Sequence, residues 1–114
     1  MNYTIDAKDR TLGRVASEAA ALLMGKSTTT FVRNRVADVQ VTITNASALR
    51  IHAQRKASKV YTRHTGYPGG LRTRTLEEEQ ARHGVEGLLR KAVSGMLPKN
   101  KLQSILLKQL VIAE

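Results

Sequence analysis

Val85, Leu88, Leu89, Ala92, Val93 and Met96 recur at the three- and four-residue spacing that puts side chains on one helix face. A stripe of that length must be buried against something, so the chain has to supply a partner surface. Pro98 ends the helix, because the residue before a proline is pushed out of the helical region. Upstream, Thr75 and Glu78 have the spacing of a capping box, and the helix they open is expected to stop near Gly84. The partner surface is legible in a different period. Val39, Val41 and Ile43 alternate with Gln40, Thr42 and Thr44, the pattern of a β-branched strand. Residues 2–6 read as a strand start. Leu49, Ile51 and Ala53 repeat the alternation over 49–53, and Leu110 to Ala113 form a short apolar last strand. Leu12, Val15, Ala16, Ala19, Leu22 and Leu23 predict a helix over 11–24, opened by Thr11 and closed at Gly25. Asn100 is placed to cap a further helix with Leu102, Ile105, Leu106 and Leu110 inward. Strands alternating with helices predict an α/β chain, read as one domain over 1–114. With aromatics at 4% and no Trp, its core is Leu, Val, Ile and Ala. The link 45–48 is too short for a parallel crossover. Strands 39–44 and 49–53 are therefore either not neighbours in a parallel sheet or antiparallel.

The charge has its own pattern. The net charge is +10, and most of it lies between residues 45 and 74. Arg50, Arg55, Lys56, Lys59, Arg63, Arg72 and Arg74 fall in that stretch, and no carboxylate occurs between Asp38 and Glu77. Such a cluster repels itself unless an anion neutralises it, which is the footprint of phosphate binding. A solvated basic loop does not require every acid to be missing. No run of 18 apolar residues is present, so no spanning helix and no membrane partner are expected. The first six residues lack the basic and apolar regions of a secretory leader. Cysteine is absent, which excludes disulfides and Cys-ligated zinc and fits a reducing compartment.

Catalytic constellations are weak. Gly25-Lys26-Ser27 matches the end of a phosphate-binding loop, but the required earlier glycine is Ala20, and the motif closes a helix instead of opening one. His52, His64 and His83 have no metal-ligand spacing, and the basic stretch holds no carboxylate to bind a catalytic ion. No catalytic residue, metal, cofactor or small-molecule substrate is expected. Residues 54–74 show no apolar period and read as a long basic loop, a length that is commonly functional. Within it, cations and tyrosines interleave. Arg55, Lys56, Lys59, Arg63, His64 and Arg72 are candidates for phosphate. Tyr61 and Tyr67 are candidates for stacking on an unpaired base or bonding a 2′-hydroxyl. Pro68-Gly69 suits the centre of a type II turn, and Gly66, Gly69 and Gly70 allow close backbone approach.

The run Arg63-His64-Thr65-Gly66-Tyr67-Pro68-Gly69-Gly70, followed by Lys91-Ala92-Val93-Ser94-Gly95-Met96-Leu97-Pro98-Lys99, resembles the L13 family of large-subunit ribosomal proteins. Thr11-Leu12-Gly13-Arg14, Gly25-Lys26 and Val41-Thr42-Ile43-Thr44-Asn45-Ala46 are similar to the same family in the same order, so the resemblance runs from about Tyr3 to Ala113. It implies a mostly parallel, four-stranded sheet flanked by helices in three α/β/α layers, with a long basic loop. It implies a cytoplasmic protein built into the large ribosomal subunit, with large-subunit ribosomal RNA and neighbouring ribosomal proteins as partners, a role early in assembly, and no enzymatic activity. It also carries the RNA-contacting loop onto Arg55 to Arg74, and a second basic contact onto Lys99 and Lys101. The pattern departs before Tyr3, after the last strand, and over Phe31 to Asp38, which is shorter and lacks the glycine before the aspartate. Two other functions are weighed against this one. An RNA-processing enzyme using His64 predicts RNA turnover, and a regulator predicts preferential binding to a messenger RNA.

Overall fold

The computed structural model describes residues 2–26, 29, 36, 38–51 and 58–113. Three strands form a parallel sheet in the order β1 (Asn2–Asp6), β2 (Gln40–Thr44), β5 (Leu110–Ile112). Asn2 pairs with Gln40 through to Asp6 with Thr44, and Val41 pairs with Leu110 through to Ile43 with Ile112. The central position of β2 follows from its composition. Val39, Val41 and Ile43 are buried, and Thr42 and Thr44 are still half-buried, as a strand with neighbours on both edges requires.

Helix α1 (Leu12–Leu23) links β1 to β2 and buries Val15, Ala16, Ala19, Ala20 and Leu23. Three alanines on that face let the helix axis approach closely. Thr11 has the extended backbone of an N-cap, although its hydroxyl makes no capping bond, and Gly25 closes the helix at φ 79°. Helix α2 (Leu76–Met96) opens as the capping box predicts, with the Glu78 amide donating to Thr75 Oγ1 at 3.3 Å. It breaks at Gly84, whose φ of 71° and ψ of −177° are open in practice only to glycine. Beyond the break Leu88, Leu89 and Val93 are fully buried, while Met96 at the end of the stripe is exposed. Leu89 and Val93 join Val15, Leu23, Val41, Ile43, Leu106 and Leu110 in one core.

Four expectations need correction. The parallel sheet has three strands among the described residues, not four. No strand forms over the described part of 49–53. Arg50 instead makes an isolated parallel bridge with Thr11, and His52 and Ala53 lie outside the described residues. That bridge prolongs the β1–β2 ladder beyond a 3₁₀ turn (Ala46–Ala48), through Asp9 N–H to the Ala48 carbonyl at 3.1 Å and Arg50 N–H to the Arg10 carbonyl at 3.0 Å. The two stretches are therefore not neighbours in the sheet. Third, the basic segment is not a loop over its described length. Val60–His64 (β3) and Leu71–Thr75 (β4) pair as an antiparallel hairpin separate from the sheet. No apolar period marks it because it stands largely in solvent. Its strand content comes from Val, Tyr and Thr, and Val60 and Leu71 stay exposed. Finally, helix α3 (Gln103–Lys108) buries Leu106 and half-buries Leu107, but leaves Ile105 exposed. Asn100 Oδ1 accepts from the Leu102 amide at 3.0 Å, in the turn before this helix instead of at its cap.

Candidate nucleic-acid interface

The hairpin turns at Tyr67-Pro68-Gly69-Gly70. The Gly70 amide donates to the Tyr67 carbonyl at 2.9 Å, and Gly69 has φ 74°, the left-handed conformation that the third residue of a type II turn needs. A side chain at Gly70 would run into the Thr65 side chain and the Tyr67 carbonyl. The Thr65 amide donates to the Gly70 carbonyl at 3.0 Å, and the Gly66 amide to His64 Nδ1 at 2.9 Å. His64 thus braces the tip in the free protein. Tyr67, 75% exposed, crowns it.

Residues directly opposite in an antiparallel pair share a face, as do alternate residues on one strand. Tyr61 opposes Arg74 and Arg63 opposes Arg72, so these four side chains project together. With α2 they enclose a cleft of about 460 Å³, whose helical wall is Glu79, His83, Glu86, Gly87, Arg90 and Lys91.

Four of the cleft's basic side chains are committed within the protein. Glu79, 2% exposed, takes Lys91 Nζ at 3.0 Å, Arg74 Nη1 at 3.5 Å and His83 Nε2 at 3.5 Å. The Lys91 hydrogen bond holds its carboxyl below the usual carboxylate range against the opposing effect of burial, and the charges of Lys91, His83 and Arg74 add to the lowering. Arg90 binds Glu86 at 3.2 Å and reaches the Leu107 and Leu110 carbonyls at 3.4 Å, tying α2 to the end of α3 and the start of β5. Arg63 and Arg72 are different. They face each other across the hairpin, both exposed, and among the described residues neither forms an ion pair with a carboxylate. Like charges placed directly opposite are unfavourable, so the free protein holds two guanidinium groups ready for an anion.

The Tyr61 ring is half-buried, with Lys91 Nζ 4.7 Å and Lys59 Nζ 5.8 Å from its centroid. Burial, and then the Glu79 charge, push its hydroxyl pKa up. Of the residues marked out in the sequence, Tyr61, Arg63 and Arg72 converge here, Lys59 lies beside Tyr61, and Gly66, Tyr67, Gly69 and Gly70 form the tip. His64 pairs with Leu71, on the alternate face from Arg63. Lys99 and Lys101 are exposed on the turn between α2 and α3 and line neither this cleft nor the second one described below. Arg55 and Lys56 lie outside the described residues. The sequence reading missed Glu79, Arg90 and Lys91, and counted Arg74 only as part of the basic cluster. A usable signal was the four-residue spacing of Glu79, His83, Gly87 and Lys91 along one helix face.

Among the described residues no group of three or more His, Asp or Glu side chains is placed to hold a metal ion, and no helix is long and apolar enough to cross a membrane. The family model described as ribosomal protein L13 matches residues 1–113. The chain is 41% identical over 110 residues to the large ribosomal subunit protein uL13 of Halorhodospira halophila, covering 96% of this chain and 77% of that one. It is 38% identical over 110 residues to uL13 of Petrotoga mobilis, with 96% and 72% covered. Against uL13 of Mycobacterium leprae it is 46% identical over 100 residues, with 88% and 67% covered. A cationic hairpin braced on a helix, in a chain matched to one family from end to end, allows one assignment: the chain belongs to the ribosomal protein L13 family.

Proposed function

We propose that this protein is a structural constituent of the large subunit of the cytoplasmic ribosome, and that it binds ribosomal RNA and supports subunit assembly. It is not an enzyme. One observation carries the RNA-binding part: Arg63 and Arg72 stand opposite each other at a cleft whose other cations already have partners. A phosphodiester lying between the two guanidinium groups relieves their repulsion and receives forked hydrogen bonds. Lys59 and the exposed tip at Gly66, Tyr67, Gly69 and Gly70 extend that contact. Arg55, Lys56, His64, Lys99 and Lys101 complete the proposed set, and Tyr61 positions Lys91 and Lys59 through its ring.

Residues 1–114 act as one RNA-binding unit in this reading, with the segment 54–74 as its reach into RNA. In the particle the sheet extends to four strands with helices on both faces. Large-subunit ribosomal RNA and neighbouring ribosomal proteins are the partners. The test is co-sedimentation of tagged protein with large subunits after a high-salt wash. Retention of wild type and loss of an Arg63→Ala/Arg72→Ala variant are expected. A wild-type protein that washes off, or a variant that stays bound as tightly, refutes the reading.

A further inference from the structure

A second cleft, of about 350 Å³, shares Tyr61 with the first. Leu12, Ile51 and Leu76 give it apolar walls, and its charged side chains are Arg14, Arg50 and Lys59. Among the described residues no carboxylate lines it. All three cations are exposed, and among the described residues none forms an ion pair. The carboxylate best placed to neutralise Arg14 is Glu18, one helical turn on, but Arg10 holds it. The arrangement is fixed by backbone: Arg50 N–H donates to the Arg10 carbonyl, and Thr11 bridges Arg50. The segment carrying Arg50 is thereby tied to the start of the helix carrying Arg14.

The two clefts differ in one respect that matters. The first contains Glu79 and Glu86, which absorb part of its charge, whereas the charged side chains described in the second are all cations. A concave surface lined by one sign of charge concentrates the field and raises the local density of counter-ions. Among the described residues no carboxylate pairs with Arg14, Arg50 or Lys59, so their mutual repulsion is a cost that an anion removes.

We infer that this second cleft is a separate phosphate-binding site, in which Arg14 and Arg50 engage an RNA backbone phosphodiester and Lys59 stands between it and the hairpin cleft. The inference rests on the RNA-binding function proposed above and adds a contact reached from α1. RNA is then held at two clefts joined by Tyr61, which fixes its direction across the protein as a single contact cannot.

The experiment is filter binding of in vitro transcribed large-subunit ribosomal RNA over a series of salt concentrations. The proteins are wild type, Arg14→Gln/Arg50→Gln, Arg14→Lys/Arg50→Lys, and Arg82→Gln/Lys108→Gln, whose residues line neither cleft. The Gln pair is expected to lower the salt slope by about two and to weaken binding by about tenfold or more. The Lys pair should keep most of the slope, and the Arg82/Lys108 pair should change little. A Gln pair that binds like wild type overturns the second site. So does an equal loss in the Arg82/Lys108 pair, which marks diffuse attraction. Wild type that binds without salt dependence defeats the RNA-binding reading itself, a result distinct from either of those.

Discussion

Replacing Arg72 with Thr should make the free protein more stable and the RNA complex weaker. Arg72 lies directly opposite Arg63, and neither has a carboxylate partner among the described residues. Like charges opposite one another on a sheet cost about 0.2–1 kcal/mol, and exposure in solvent puts this pair toward the lower end. Threonine is a good strand residue and pairs well across strands, as Thr62 and Thr73 do one position away, so the hairpin itself is preserved. The expected gain in melting temperature at low salt is about 1–4 °C. It should shrink as salt rises, because exposed charges are screened. In the complex the sign reverses. Loss of one phosphate contact lowers the salt slope by about 0.9 and weakens binding by roughly tenfold or more. Calorimetric melts at low and high salt, beside filter binding, measure both halves. A variant that melts lower at low salt shows that Arg72 is satisfied within the free protein, and the argument for a waiting anion site then fails.

Leu89→Ala removes a fully buried side chain from the core and should cost about 2–5 kcal/mol in a denaturant melt; an unchanged midpoint means the helix stripe is not packed as described. Glu79 gives a pH dependence. Its folded pKa lies below that of an unfolded Glu, near 4.5, so its contribution is fully present above that value and lost as pH falls through the lower folded pKa. Glu79→Gln should therefore flatten the acid side of the stability curve and leave the slope above pH 5 unchanged; an identical acid limb in the variant contradicts the ion-pair geometry. Gly70→Ala should open the hairpin tip, read as faster hydrogen exchange at the Thr65 amide, which donates to the Gly70 carbonyl. Unaltered exchange there shows that the Thr65 side chain gives way freely.

The parts of the fold that bury apolar surface were legible in the sequence. Val41 and Ile43 alternate because β2 is covered, and Val85 to Val93 recur because that face meets the core. The punctuation was legible for local reasons: Thr75 caps, Gly84 breaks a helix, and Pro68-Gly69 turns a hairpin. The hairpin strands were not, because no face of Val60–His64 or Leu71–Thr75 leaves an apolar trace. The site followed the same rule. Arg63 and Arg72 stood out as charge, but their opposition depends on register, which is set by pairing across the turn. Glu79 carried no mark of its own in the sequence, since it follows Glu77 and Glu78 in a helix's first turn, where those two are exposed. Only the packing of the hairpin against α2 distinguishes it from them. Ile105 failed for want of length, since six residues give a helix too few positions to fix which side is inward.

Gly84 bends one run of chain between the clefts and the core. Before it, Leu76 and Glu79 serve the clefts; after it, Leu89 and Val93 turn to the core while Glu86, Arg90 and Lys91 wall the first cleft from the other side of the joint. The aim of the cationic arm relative to the body thus depends on a backbone joint that a β-carbon cannot occupy without strain, and on Lys91, which reaches back across it to Glu79 and Tyr61. Damage at that joint would misdirect the arm while Leu89 and Val93 still had a core to fill, so an error of alignment need not be an error of packing.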